Sequence, residues 1–208
     1  MITILSPKMI TKTHIEQALE LDRISYDDIY YLDLETCVEY YNKNPLIYIM
    51  LFDTEISKVI GYINFSPIAK EMFSLILSGQ VIDTVIQSRD IVAYSDGCSC
   101  WGYMSSIVVH PDYRNHGYAK RMLHELNKLI CSLAEINKIF FSGIVADAVS
   151  DAGYHILSKM GFDPIQSSLH DSRIMLLNPF SGNTRETDWN RSILSVYKQE
   201  VQENGFSI

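Results

Sequence analysis

The chain has 208 residues, of which 47% are apolar and 20% are charged, and its formal net charge is −8. This length and composition are typical of one globular domain with a substantial core, and they exclude a low-complexity chain. The acidic balance argues against a nucleic-acid partner, because neutralising phosphates requires clustered Lys and Arg.

The sequence carries no signal for a membrane or a secretory route. Residues 1–7 lack a basic segment and a sustained apolar run, and the charge-free stretch 72–82 is too short to span a bilayer. Of the four cysteines only Cys98 and Cys100 are close, and no ligand pattern surrounds them. We therefore predict a cytoplasmic protein with no membrane association and no metal site.

The first third of the chain alternates between strand and helix patterns. Residues 2–5 form a short strand pattern, and the helical periodicity of 13–42 favours two short helices over one long one. The runs 46–52 and 58–65, joined by a polar turn, predict an antiparallel hairpin. Pro67 is expected to end its second strand, because proline cannot donate to a sheet ladder.

The segment 67–96 is the least regular part of the sequence. Residues 71–77 have a helical pattern that ends at Gly79, and 80–94 fit no single element. The next clear element is a strand over 98–109, whose apolar end at 107–109 indicates that both of its faces are covered.

The remaining elements alternate between helix and strand. A helix after the 98–109 strand has one apolar face, with Ala119 and Leu133 at its two ends. A strand at 139–146 and a helix at 149–160 follow, and a left-handed Gly161 is expected to close that helix. The final elements are a strand at 173–177, a turn-rich segment at 179–185 and a helix at 187–203.

The most informative segment is the junction 107–119, where an apolar strand enters a turn and then a helix. Such a junction presents backbone N–H groups at the positive end of a helix, which favours phosphate. Gly117 lets a ligand approach the backbone closely, and the Arg114 guanidinium can form paired bonds to phosphate oxygens. The segment therefore predicts a site for a phosphorylated cofactor.

The spacing of this junction separates it from the common nucleotide motifs. Neither G-x-G-x-x-G nor G-x-x-x-x-G-K-[ST] is present. Residues 109–119 instead read V-x-P-x-x followed by R-x-x-G-x-A, and a Lys-Met-Gly-Phe sequence at 159–162 closes the later helix. This arrangement over 104–162 resembles the acyl-CoA-binding region of the GNAT superfamily of N-acetyltransferases.

The resemblance implies an α/β fold with a GNAT-type central mixed β-sheet flanked by helices. The acyltransferase domain is expected to cover 1–180, with an insertion at 67–96 that shapes the acceptor site. A C-terminal helical extension is expected over 181–208. The tyrosines of the N-terminal helical region either border the acceptor pocket, as in the family, or serve packing and interfaces.

The resemblance also implies acetyl-CoA as the cosubstrate. In the family two neighbouring strands splay apart around pantetheine, which would pair with the backbone of Ile107, Val108 and Val109. Ser150 would hydrogen-bond pantetheine or cap its own helix. The backbone amides expected around the pyrophosphate belong to Arg114, Asn115, His116, Gly117, Tyr118 and Ala119.

The implied reaction moves an acetyl group to a primary amine by direct attack in a ternary complex. The family's thiolate-protonating tyrosine is replaced by Leu157, and Tyr154, one turn earlier, is the candidate for that role. The general base is open between water, Asp147 and Asp96. Asp147 also has an alternative role in stabilising a helix N-terminus.

Two further interpretations belong to other functional classes. The missing tyrosine fits a non-catalytic, acyl-CoA-binding regulatory module that binds tightly without releasing thiol. The C-terminal helix, with Trp189 and Tyr197 on one face, could form a homodimer or pack on its own domain.

Overall fold

The structure is a computed structural model that describes residues 1–204 and contains one seven-stranded sheet. The strands are β1 (Ile2–Ile4), β2 (Tyr48–Asp53), β3 (Lys58–Ile68), β4 (Ser99–Val109), β5 (Phe140–Ala148), β6 (Asp163–Ser167) and β7 (Arg173–Leu177). The helices are α1 (Lys12–Arg23), α2 (Leu34–Lys43), α3 (Lys70–Leu77), α4 (Tyr118–Asn137), α5 (Asp151–Met160) and α6 (Arg191–Asn204).

The sheet is mixed, and its strands lie in the order β1-β2-β3-β4-β5-β7-β6. All neighbouring pairs are antiparallel except β4 and β5, which are parallel and connected by α4. A parallel pair requires a crossover connection, and α4 supplies it with one apolar face against the sheet. The predicted α/β fold with a mixed sheet and a C-terminal helix is confirmed.

Helices cover both faces of the sheet. One buried cluster joins α1, α2 and α3 to one face, and a second joins α4, α5 and α6 to the other. Within residues 1–204, no helix combines the length and apolar character that crossing a bilayer requires.

Pro67 does not end β3, contrary to the prediction. The strand continues to Ile68, with Pro67 opposite Gly102 of β4. Because β2 pairs with β3 only as far as Asn64, the end of β3 is an edge on that side. At an edge, the missing N–H of a proline leaves no ladder partner unsatisfied.

Residues 67–96, the predicted insertion, contain more order than their sequence indicates. Helix α3 is followed by two 3-10 turns, Asp83–Val85 and Ser88–Asp90, and an isolated bridge joins Ile91 to Ile68. Strand β6 was not predicted, because all its residues are exposed and its sequence has no apolar alternation. Helix α6 begins at Arg191, four residues later than expected.

The C-terminal helix packs on its own chain. Tyr197 is 1% exposed, and its hydroxyl oxygen accepts the backbone N–H of Phe141 at 2.9 Å. The Trp189 indole donates to the carbonyl of Leu123 in α4 at 2.8 Å. Both side chains therefore make hydrogen bonds inside the chain, and the last residues of the predicted extension, 205–208, lie outside the described residues.

Candidate active site

The principal groove lies where β4 and β5 separate. Their parallel pairing ends at Met104 and Ala146, whereas β4 stays paired with β3 as far as Val109. Residues 105–109 consequently have no partner on β5, and their backbone borders a groove of about 610 Å³. Backbone polar groups at such a gap are available to an extended ligand.

A β-bulge lies in β4 at the start of this gap. Asn64 of β3 pairs with Ser106 and Phe65 pairs with Met104, so Ser105 is an extra residue in β4. A bulge disrupts the regular alternation of side chains and re-aims its residues. Ser105 and Ser106 both border the groove and a second cavity behind the strand.

The turn after β4 leads into the long helix α4 in a conformation suited to an anion. Asn115 and Gly117 both have left-handed backbones, with φ of 65° and 79°, and α4 begins at Tyr118. A Cβ added at Gly117 would meet no atom within 4 Å, so the space above the helix end is open. The positive end of a twenty-residue helix therefore faces the mouth of the groove.

Arg114 is fixed beside this helix end. Its Nε donates to the carbonyl of Val109 at 3.1 Å, which ties the side chain to the end of β4. Among the described residues it has no ion-pair partner, and it is exposed. The guanidinium is thus held near the helix N-terminus without a neutralising carboxylate.

Most of the residues predicted to bind cofactor border the same groove. His116 is an exception, because its Nδ1 lies 2.8 Å from the carbonyl oxygen of Arg114 and its ring stacks on Tyr118. The predicted residues that line the groove are Ile107, Val108, Val109, Arg114, Asn115, Gly117, Tyr118, Ala119, Asp147 and Ser150.

Helix α5 presents a different set of residues to the groove than the sequence suggested. Tyr154 is not among the lining residues, and its ring lies 4.7 Å from the guanidinium carbon of Arg173. Leu157 lines the groove instead. Ser150 also borders the groove, while its hydroxyl accepts the N–H of Gly153 at 3.1 Å and caps α5.

The two aspartates predicted as bases lie far apart in the fold. Asp96 precedes β4, at the opposite end of the strand from the groove, and accepts a bond from Asn137 at 2.9 Å. Asp147 lines the groove near the end of β5. Burial raises the pKa of the Asp147 carboxyl, and its Oδ1 has no hydrogen-bond partner among the described residues.

A second cavity of about 50 Å³ lies behind β4 and adjoins the groove. Tyr26, Ser105, Ser106 and Val149 line both spaces, so they form the wall between them. The tyrosines around the second cavity are Tyr26, Tyr30, Tyr40, Tyr48, Tyr62 and Tyr103. Of the tyrosines in the N-terminal helical region, Tyr26, Tyr30 and Tyr40 therefore border a pocket beside the groove.

Two carboxylates in this cavity, Asp22 and Asp83, were missed at the level of sequence. Asp22 follows Ile15 and Ala18 on the buried face of α1, and a carboxylate on an apolar helical face is a detectable signal. Asp83 lies in the insertion, where no periodicity marked it. Only the folded chain brings it to β4.

Burial dominates the protonation of both carboxylates. It raises the pKa of Asp22 to about 7, although a hydrogen bond from the Tyr62 hydroxyl opposes the shift. Burial likewise raises the pKa of Asp83 to about 6, against a bond from Ser105 at 3.1 Å. Each carboxyl therefore exchanges its proton near neutral pH.

Replacing Asp22 by Asn is expected to stabilise the protein at pH 8 by about 1–3 kcal/mol. Because the native carboxyl binds its proton more tightly than the unfolded one, wild-type stability falls as pH rises from about 4 to about 7. The advantage of the variant should shrink toward pH 4. Urea unfolding at both pH values measures it.

The matched control for this measurement is Glu16→Gln, an exposed position on the same helix. It should change the free energy of unfolding by no more than about 0.5 kcal/mol at either pH. A gain for Asp22→Asn that is equal at pH 4 and pH 8 would contradict the assignment of a buried charge.

Comparison with known proteins identifies relatives of this fold. A family model described as the acetyltransferase (GNAT) family matches residues 14–162. No curated protein sequence matches the chain. Solved structures that resemble it include Ard1 from Thermoplasma volcanium, with 12% identity, 84% of this chain and 95% of that chain covered, and a TM-score of 0.55.

Two other solved structures also resemble the chain in fold. The loading GNATL domain of CurA from Lyngbya majuscula has 10% identity, covers 86% of this chain and 98% of its own, and gives a TM-score of 0.57. Arabidopsis thaliana Naa50, in complex with the bisubstrate analogue CoA-Ac-MVNAL, has 11% identity. The match covers 84% of this chain and 97% of that chain, with a TM-score of 0.52. At these identities the likeness shows the fold alone.

Proposed function

Since the chain belongs to the GNAT family of acetyltransferases, we propose that it transfers an acetyl group from acetyl-CoA to a primary amine by direct attack in a ternary complex. One observation carries the proposal. The groove between β4 and β5 begins at a helix end suited to phosphate and continues to a wall shared with a second, acid-lined cavity. A cofactor and an acceptor would therefore meet at residues 105–106.

The residues of the groove fit the chemistry of acetyl-CoA. The amides of 114–119 and the Arg114 guanidinium would hold the pyrophosphate, because helix N-termini and guanidinium groups both favour phosphate oxygens. The unpaired backbone of 107–109 would bond the pantetheine amides. Ser150, at the start of α5, would lie along the same arm.

The protein's contribution to the reaction is positioning, polarisation and proton handling. Holding an amine beside a thioester removes most of the entropic cost of the encounter. A backbone N–H of β4 near the bulge would polarise the thioester carbonyl. Asp147 remains a proposed proton acceptor because it lines the groove with one unpartnered oxygen, and Tyr154 would have to leave Arg173 to protonate the thiolate.

The test measures binding and turnover separately. Calorimetric titration of the protein with acetyl-CoA should give a micromolar Kd, and thiol release should then depend on an added primary amine. No acetyl-CoA binding would refute the acyltransferase assignment. Binding without thiol release from any amine would favour the regulatory module that binds acyl-CoA without turnover.

A further inference from the structure

The acceptor-side cavity is small. Its volume of about 50 Å³ corresponds to roughly four water-sized positions. An ammonium group with a short carbon chain has this size, whereas a peptide needs an open path for the rest of its backbone. The size of the cavity therefore bears directly on which amine can reach the wall at 105–106.

The roof of the cavity is formed by the loop between α1 and α2 and by residues 83–91, and several contacts hold these two segments in place. The loop between α1 and α2 contacts the insertion, where turn Asp28–Tyr30 meets turn Asp83–Val85. The Tyr40 hydroxyl donates to the carbonyl of Ile86 at 2.5 Å, and Asn44 donates to the carbonyl of Val92 at 3.0 Å. These bonds tie the insertion to α2 and its C-terminal end, so the roof is part of the packed structure.

The loop that forms the other half of the roof is also held in place. The Tyr31 hydroxyl lies 2.9 Å from both the Arg23 and the Tyr26 carbonyl oxygens, which stabilises the chain between the two helices.

The charge inside the cavity is entirely acidic. No Lys, Arg or His is among its lining residues in the described part of the chain, while Asp22 and Asp83 both line it. The Asp83 charge adds to burial in raising the pKa of Asp22, so the two carboxylates interact unfavourably. A bound cation would relieve that repulsion, and the surrounding tyrosine rings also favour an ammonium group.

Asp83 has an oxygen with no partner. Its Oδ2 accepts the Ser105 hydroxyl at 3.1 Å, and the nearby Tyr103 hydroxyl also lowers the pKa of the carboxyl, but its Oδ1 is shielded from solvent and has no partner at hydrogen-bonding geometry among the described residues. Buried carboxylate oxygens without partners are costly and are rarely left so in native proteins. An N–H donor from a ligand in the cavity would satisfy this atom.

We propose that the acceptor is a short-chain primary amine, that it binds in this cavity as an ammonium ion between Asp22 and Asp83, and that Asp83 takes its proton. This inference rests on the proposed acetyl transfer, specifies its substrate class and assigns the role of base to Asp83 in place of Asp147. It assigns a catalytic role to the insertion, because the insertion supplies Asp83 beside the bulge in β4.

The proton balance of the step is complete with these groups. The Asp83 carboxylate accepts one proton from the ammonium, which frees the nitrogen lone pair. The nitrogen then forms a bond to the acetyl carbon while the carbon–sulfur bond breaks. The nitrogen then gives a second proton to the CoA thiolate, which leaves as the thiol. Asp83 returns its own proton to solvent after the amide departs.

The test compares amines of increasing length on the full chain. Thiol release is measured at saturating acetyl-CoA with ethylamine, propylamine, butylamine and hexylamine, and with a tetra-alanine peptide that has a free amino terminus. Activity is expected with the shorter amines, falling sharply at hexylamine and absent for the peptide. Calorimetric titration with propylamine alone gives a binding readout that does not depend on turnover.

Three variants test the assignment of Asp83 and of the cavity. Asp83→Asn keeps the shape and should lower kcat/KM for propylamine about 100-fold without changing acetyl-CoA affinity. Ile86→Ala removes a buried wall residue and should move the length optimum toward butylamine or hexylamine. Glu71→Gln, an exposed carboxylate of α3 that lines neither the cavity nor the groove, is the matched control and should leave both measurements unchanged.

The outcomes separate this inference from the function on which it rests. Acetyl-CoA binding with acetylation of the peptide and none of the short amines would overturn the inference and preserve the acetyltransferase assignment. Full activity of Asp83→Asn toward propylamine would overturn the role of Asp83. If the wild-type protein does not bind acetyl-CoA, both this inference and the proposed acetyltransferase function are refuted.

Discussion

The double substitution Arg114→Ala with Gly117→Glu is expected to weaken acetyl-CoA binding at least about 100-fold, or about 2.7 kcal/mol. The first change removes a guanidinium that Val109 holds beside the start of α4. The second introduces a carboxylate where the positive helix end faces open space. A negative charge there would compete with phosphate for the same amides.

Calorimetric titration measures this loss, and circular dichroism checks that the variant is folded. Gly117→Ala is the matched control, because an added methyl at Gly117 meets no atom within 4 Å. It should cost stability through its left-handed backbone, by about 1 kcal/mol, and should leave acetyl-CoA binding largely intact. Unchanged affinity in the folded double variant would move the phosphate site elsewhere.

Gly161→Ala is expected to produce the largest loss of stability, about 3 kcal/mol. Gly161 closes α5 with φ of 96°, which strains any residue that has a Cβ. The added methyl would also collide with Asn190 and lie 3.0 Å from the Arg185 carbonyl oxygen. Asn190 is fully buried and bridges Thr187 and Arg185, so it has little room to move.

Urea unfolding tests this prediction through a lower midpoint with an unchanged slope. Gly97→Ala is the control, because Gly97 has a similar left-handed backbone, with φ of 73°, but open space around it. Its free energy of unfolding should fall only by the cost of a Cβ on a left-handed backbone, about 1 kcal/mol. Equal losses at the two positions would show that the segment before α6 accommodates the methyl without displacing Asn190.

Local sequence determined most of the elements and the strand–turn–helix junction at the start of α4. The apolar end of β4, the turn through Arg114 and the glycine before α4 are adjacent in the chain, so their geometry follows from short-range rules. The glycine closing α5 was predicted for the same reason. Such features need only hydrogen bonding and backbone sterics within one or two turns.

Tertiary structure decided the lining of the second cavity. Asp22 and Asp83 are 61 positions apart, yet they line one cavity because α1 and the insertion pack against the same face of the sheet. The bulge at Ser105 depends on how β3 pairs with β4, and that register is set by the whole sheet. The direction of Tyr154 likewise depends on where β7 places Arg173.

The physical reason for this difference is the separation along the chain of the residues that interact. A helix end, a glycine turn and an apolar strand are fixed by contacts between neighbours in the chain, so the sequence alone determined the strand–turn–helix junction inside an α/β fold. The burial of a carboxylate, the closing of a cavity and the facing of two side chains are fixed by packing between distant segments. Those contacts exist only in the folded molecule, and they decided which acids line the second cavity.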